Sequence, residues 1–317
     1  MRASLALICL ALSLTGCNRA HQKRVAVIPK GTSHIFWQSV QAGALAAGKE
    51  FHLQVFWNGP PTETDYSRQI EIVDSMIARR VDGIAVAAAD RDALNNSLQR
   101  AADLHIPVVV FDSGVNSSNY ITFVATDNYQ AGQMAAQKLG NLLNGKGNVA
   151  EIMHAPGSAS TMDRERGFEN LMSRRFPFIH IVAKQYGMAD HAKALSVTEN
   201  ILTADPNLDG LFASSEPSSV GAAQALKSRG LNGRVRFVAF DATQGLVDAM
   251  KDGTIDALVA QDPFRMGFEA VHAVARQLSG EEQPRREDLP ATVVTKADLS
   301  NPQIHALLFP DLTKYLR

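Results

Sequence analysis

From position 25 onward the apolar residues alternate between two rhythms. Short runs rich in β-branched side chains, Val25-Ala26-Val27-Ile28 the first of them, give way to longer stretches in which apolar residues return every third or fourth position. The first half of the chain reads as strands at 25–28, 53–57, 83–87, 108–111 and 121–124, with helices at 36–50, 65–80, 93–104 and 128–143. Within 65–80, Ile70, Val73, Met76 and Ile77 share one helical face. The run Val108-Val109-Val110-Phe111 has no polar position between Pro107 and Asp112, which suits a parallel strand covered on both faces. The second half repeats the scheme. Strands are expected at 149–153, 179–183, 210–213, 235–239 and 257–260, and helices at 161–173, 192–204, 218–228 and 243–251. A last helix at 263–278 precedes a charged segment at 280–287. Such alternation predicts an α/β protein of parallel sheets with helices on both faces.

The segment before this pattern has a different composition. Arg2 is followed by an apolar run over 5–14, the length of a signal-peptide core and too short to span a bilayer. It ends in Leu14-Thr15-Gly16-Cys17, which resembles the lipobox of bacterial lipoproteins. That resemblance implies cleavage before Cys17, acylation of its thiol, and attachment of the protein to a membrane through the lipid. Residues 1–17 are therefore expected to be a processed leader. Cys9 would leave with it and Cys17 would be committed to lipid, so the mature chain would hold no disulfide. The roughly 300 residues that remain are enough for a large apolar core divided over two domains.

Charge narrows the function classes. Lys+Arg 31 against Asp+Glu 32 gives a net charge of −1, so no bulk attraction to nucleic acid is implied. No helix-turn-helix precedes Val25, where a related DNA-binding repressor would need one. There is no Gly-x-Ser-x-Gly elbow, no His-Glu-x-x-His and no Cys-x-x-Cys, and the sequence is read as that of a non-enzyme without a cofactor. The nine histidines show no metal-ligand spacing, so no metal site is expected.

In open α/β sheets, ligands bind beyond the carboxyl ends of the strands. The residues at those ends are Lys30, Asp90, Asp112, Asp127, Ser214 to Glu216, Asp241, and Gln261 with Asp262. Asp90 and Asp127 read as helix caps. Asp112 and Asp241 each follow a strongly apolar strand and precede small residues, Ser113-Gly114 and Ala242-Thr243, and these two read as ligand contacts. A buried carboxylate accepting from a sugar hydroxyl contributes about 1.5–3 kcal/mol. Phe36-Trp37, at a helix start after the first strand, is a candidate aromatic platform. Lys30 and His34 would suit a ligand with a carboxylate or additional oxygens.

Taken in order, these segments resemble the periplasmic sugar-binding proteins of ABC transporters, of the ribose-binding type. The resemblance spans essentially the whole mature chain. It is carried by the first βα unit with Phe36-Trp37 and Gly43, by Val81-Asp82-Gly83-Ile84, and by the strand ending in Asp112. It continues through Thr126-Asp127-Asn128, Asp163-Arg164-Glu165-Arg166-Gly167-Phe168, Phe237-Val238-Ala239-Phe240-Asp241, and Ala260-Gln261-Asp262-Pro263 with Gly267. Three departures stand out. Ser113 replaces an arginine of the ribose type, Met188-Ala189 lacks its aromatic, and Lys30 replaces a small polar residue. Ile28-Pro29-Lys30, Asn58-Gly59-Pro60 and Asp112-Ser113 resemble the rhamnose-binding and autoinducer-binding branches, although the latter carry a tryptophan near Gln261.

The resemblance implies the type I periplasmic binding protein fold, two doubly wound parallel-sheet lobes joined by a hinge. It implies an N-terminal lobe of 25–126 plus 262–290 and a C-terminal lobe of 127–261 plus 291–317. Lys30, Phe36, Trp37, Asp112, Arg164, Ser215, Asp241 and Gln261 match its ligand-binding positions. The two aromatics would sandwich the sugar, and Gln261 would sit at the junction. The implied partner is a monosaccharide (pentose, hexose or deoxyhexose), delivered by a monomer in the periplasm or cell envelope to an ABC permease. A ligand-sensing role for a chemoreceptor or sensor kinase, or a non-sugar metabolite, is the alternative.

Overall fold

The computed structural model describes residues 22–316, so the leader with Cys9 and Cys17 lies outside the described residues. Among the described residues no helix is long and apolar enough to cross a membrane. The first half of the chain runs β1 (Arg24–Ile28), α1 (Ile35–Glu50), β2 (Gln54–Trp57), α2 (Tyr66–Ala78), β3 (Gly83–Val86), α3 (Asn95–Asp103), β4 (Val108–Phe111) and β5 (Phe123–Thr126). The second half runs α4 (Asn128–Leu142), β6 (Lys146–Met153), α5 (Ala159–Arg175), β7 (Phe178–Tyr186), α6 (His191–Ala204), β8 (Gly210–Ala213), α7 (Glu216–Ser228), β9 (Arg236–Phe240), α8 (Gln244–Lys251) and β10 (Ala257–Ala260). The chain then adds α9 (Pro263–Leu278), β11 (Arg286–Leu289), β12 (Thr292–Val294) and α10 (Pro302–Leu308).

These strands form two six-stranded sheets, ordered β11-β5-β4-β3-β1-β2 and β12-β10-β9-β8-β6-β7. The orders match strand for strand, so the molecule is two α/β lobes with the same winding. Central strands are buried on both faces, as the unbroken apolar runs require. In β4, Val109 and Phe111 enter the core under α1 and α9, while Val108 and Val110 face the core under α2 and α3. Pairing is parallel except at β12, which runs antiparallel to β10, a departure from the all-parallel expectation.

The final stretch of the chain differs most from the sequence reading. α9 is not the last helix, and the charged segment leads into a strand. β11 reads Arg-Glu-Asp-Leu and is an edge strand whose side chains are mostly solvated, so backbone bonds to β5 hold it without an apolar signature. The chain passes between the lobes three times, after β5, after β10 and between β11 and β12. These passages are neighbours, because Thr126 pairs with Leu289 and Ala260 pairs with Thr292. α10 packs on the second lobe through Leu308, and beyond it Tyr315 touches Phe264 of α9 at 5.6 Å.

Helix crossings complete each lobe. A Cβ at Gly43 of α1 would collide with the Phe264 carbonyl, and one at Gly267 of α9 with the Val40 carbonyl. In the second lobe Gly132 of α4 meets the Arg164 carbonyl, and Gly167 of α5 meets the Tyr129 carbonyl. Glycine is required at these crossings because backbone lies on backbone. The α4–α5 crossing fixes the helix that carries Arg164.

Candidate functional site

All eight residues expected at the site line one cavity between the lobes. His34, Glu63, His154, Thr161, Glu216 and Pro217 complete its wall. Asp127 lies elsewhere as the N-cap of α4, whereas Asp90 closes a turn ahead of α3, whose N-cap is Leu94. Asp90 accepts from the Asp92 and Ala93 amides, and Asp127 accepts from Gln130.

Two residues in left-handed backbone place the aspartates. Asp112 has φ 55° and Asp241 φ 68°, an uncommon conformation for residues other than glycine. Each turns the chain out of a buried strand, β4 or β9, and aims its carboxylate into the cleft. Strain of this kind persists where surrounding structure holds it, and it gathers at functional sites.

The two carboxylates are held differently. Asp241 accepts from Gln261 Nε2 at 2.7 Å and from the Glu216 amide at 2.9 Å. Burial pushes its carboxyl up from the ordinary value, against the pull of Arg164. Gln261 in turn accepts from Thr126 Oγ1 at 2.7 Å, tying the hinge passages together and fixing which way its amide points. Asp112 Oδ2 is buried without a hydrogen bond. Lys30 Nζ lies 3.2 Å from it, an ion-pair distance without the angle of a hydrogen bond.

Lys30 is almost fully buried and crosses the cleft. Its ammonium stands 3.5 Å from Glu63 and 3.3 Å from the hydroxyls of Ser158 and Ser160 in the opposite lobe. Glu63 accepts from Trp37 Nε1 at 2.9 Å and lies 3.2 Å from His154 Nε2. Burial alone would raise the Glu63 carboxyl, but Lys30, His154 and His34 hold it well below the usual carboxylate range. Burial pushes the His154 imidazole below its ordinary value, against the pull of Glu63. Its Nε2 faces Glu63, and its Nδ1 lies 2.9 Å from Ser215 Oγ.

Arg164 is pinned from behind. It donates to Asn128 Oδ1 at 2.7 Å and to the Ser214 carbonyl at 3.0 Å, and its guanidinium stacks 3.9 Å from the Phe240 ring centroid. A guanidinium held flat in this way is pre-organised to present donors to oxygen ligands. Behind it, Glu165 accepts from the His154 amide and from Ser214 Oγ, and burial pushes its carboxyl up to about 7.

The aromatic pair does not form the expected sandwich. Phe36 and Trp37 touch each other, with centroids 5.0 Å apart and planes at 88°, so no sugar ring fits between them. Trp37 is buried against Phe111 and tied to Glu63, while Phe36 is half-buried. His34 and His191 come within 5.2 Å, centroid to centroid, beside Glu216.

Comparisons with known proteins identify the family of this fold. Residues 25–282 match the family described as periplasmic binding protein domain. The ribose import binding protein RbsB of Bacillus subtilis is 29% identical over 234 residues, covering 74% of this chain and 75% of that protein. The Escherichia coli ribose import binding protein RbsB is 25% identical over 289 residues, covering 90% and 95%. Among solved structures, a carbohydrate transporter solute-binding protein from Agrobacterium radiobacter in complex with D-arabinose superposes with a TM-score of 0.89. It is 31% identical, over 92% of this chain and all of that one. An ABC transporter solute-binding protein from Agrobacterium vitis with bound D-fucose gives a TM-score of 0.87 at 33% identity, over 90% of this chain and all of that one.

Proposed function

The chain belongs to the periplasmic binding protein family, and from that premise we propose that it captures a neutral monosaccharide between its lobes and presents it to an ABC permease. In this reading it works outside the cytoplasm, anchored through lipid on Cys17, and it binds its ligand without transforming it. Lys30, Phe36, Asp112, Arg164, Ser215, Asp241 and Gln261 contact the sugar, and Trp37 holds Glu63 and Lys30 in place.

The observation that carries the proposal is the pairing of two buried, left-handed aspartates at matching strand ends, facing one cavity across the cleft. Carboxylates are apt acceptors for hydroxyls, and Arg164 supplies donors for ring and hydroxyl oxygens. A ligand touching both lobes favours the closed arrangement by its differential affinity.

Charge selects the ligand class. The wall holds two permanent cations, Lys30 and Arg164, against four carboxylates, Glu63, Asp112, Asp241 and Glu216. Lys30 already faces two of those carboxylates. An anionic ligand would enter an acidic cavity with no free lysine to receive it, so the carboxylate-bearing ligand considered for Lys30 and His34 is disfavoured.

A thermal-shift screen of protein freed of carried-over ligand tests the proposal. Ligand at a thousand times its Kd adds about 4 kcal/mol, a shift of several degrees. Pentoses, hexoses or deoxyhexoses are expected to shift Tm, and hexuronic acids are not. A response confined to the acids would refute the charge argument, and silence across all neutral sugars would refute the sugar assignment.

A further inference from the structure

We propose that His34, His191 and Glu216 form a binding site for a zinc-type divalent cation that joins the two lobes at the edge of the cleft. The site goes beyond the sugar-binding reading and does not depend on it.

The three side chains come from separate elements. His34 stands at the start of α1 in the first lobe but makes no capping bond there, which leaves its ring to reach across the cleft. His191 opens α6 and Glu216 opens α7, both in the second lobe. Their ligand atoms all lie within 4.8 Å of one another.

Two of the three edges already have the right length. Four ligands placed about 2.05 Å from a tetrahedral zinc ion are separated by about 3.3 Å. His34 Nδ1 is 3.4 Å from Glu216 Oε2, and His191 Nε2 is 3.3 Å from the same oxygen. Only the edge between the histidines has to close. Two imidazoles and one carboxylate with a position left open is a donor set that suits zinc and its neighbours among the late first-row metals.

The proton on His34 supplies the second argument. Its Nε2 lies 3.1 Å from the Ala189 carbonyl, which can only accept. Glu63 Oε1 stands on the same side at 3.8 Å. The Nε2 nitrogen therefore carries the hydrogen, and in the neutral ring Nδ1 presents a lone pair. That lone pair would face the Glu216 carboxylate at 3.4 Å, acceptor against acceptor, an opposition that a cation between them removes as a proton on Nδ1 would. A histidine that donates one ring N–H to a carbonyl, with the other nitrogen aimed at a shared centre, has the arrangement that orients imidazole ligands in metal sites. Ala189 holds its carbonyl there through φ 54°, following Met188 at φ 55°. Glu216 is buried, whereas the His191 side chain is 46% exposed, so the ion has an entry path from solvent.

The test is calorimetric titration of the untagged chain, dialysed against EDTA and then against metal-free buffer, with ZnCl2 and no sugar. Uptake of one equivalent is expected, with a rise in Tm. His191→Ala, which removes an exposed side chain outside the sugar cavity, is expected to weaken zinc binding at least tenfold. Its sugar affinity in EDTA should stay unchanged, which separates this site from the sugar site. Glu216→Gln is expected to weaken zinc binding as well. Absence of saturable uptake by the wild type, or uptake by His191→Ala equal to that of the wild type, overturns the proposal. In either case a proton between His34 and Glu216 accounts for the geometry.

Discussion

Asp112 and Asp241 occupy matching ends of matching strands, and both leave the strand through a left-handed residue, but their surroundings divide the work between the lobes. In the second lobe each carboxylate oxygen accepts one bond, from Gln261 or the Glu216 amide, so it is a fixed acceptor with lone pairs left for a ligand. In the first lobe Asp112 has a buried oxygen with no hydrogen bond and only the Lys30 ammonium beside it. The same backbone device thus yields one carboxylate fixed by bonds on both oxygens and one with an oxygen left open. A two-lobed binder profits from that difference, because one wall must be rigid while the other completes its bonding as the cleft closes.

The sharpest way to break the comparison is to truncate each aspartate. Asp241→Ala should lose sugar binding by more than about a hundredfold and also lower stability by about 2–4 kcal/mol. It leaves the Gln261 amide and the Glu216 N–H unpaired at about 1–3 kcal/mol each. Calorimetry and urea denaturation read the two losses separately. Asp112→Ala should reduce binding by about a hundredfold, equivalent to about 3 kcal/mol, while the denaturation midpoint stays close to that of the wild type. Equal stability losses in the two variants would erase the distinction drawn here.

A smaller effect tests how the second wall is built. Gly132→Ala places a methyl group on the Arg164 carbonyl and forces α4 and α5 apart. Overpacking of this kind costs about 1–3 kcal/mol, and sugar affinity should fall with it because Arg164 moves. The matching change at Gly43, which underlies no Arg164 counterpart, should lower stability with less effect on affinity.

The smallest expected effect concerns pH. Glu165 keeps its proton in the folded state up to about 7, whereas the unfolded chain loses it near 4.5. Between those values the folded state binds more protons, so this group makes stability fall as pH rises through that window. Glu165→Gln should flatten the Tm profile between pH 5 and 7 by about 1–3 °C. An unchanged slope would show that the carboxyl titrates normally.

Much of this was legible in the sequence. The periodicity located the strands and helices of both lobes, because central parallel strands must be apolar throughout. The rule that ligands sit beyond strand ends led to Lys30, Asp112, Ser215, Asp241 and Gln261. It also applied to His154, directly after β6, which the sequence reading passed over. Glu63 was invisible for a physical reason. It lies in a turn region between β2 and α2, and its significance comes from Lys30, Trp37 and His154, which local pattern does not bring near it. The same holds for His34, His191 and Glu216, whose spacing along the chain has no metal-ligand signature. β11 was missed because its pairing comes from backbone groups while most of its side chains stay in water, and β12 because it is only three residues long although Val294 is buried.

The three neighbouring passages between the lobes have a further consequence, in degrees of freedom. Two bodies joined by a single chain can tumble, twist and slide relative to each other. Three passages side by side, with Thr126 and Gln261 bonded between two of them, leave little beyond a swing about one axis. In the proposed closing motion, the open form would then explore few arrangements that closure must abandon. Less orientational entropy is lost when the cleft shuts, and a larger share of the contact free energy remains as affinity for a ligand as small as a single sugar.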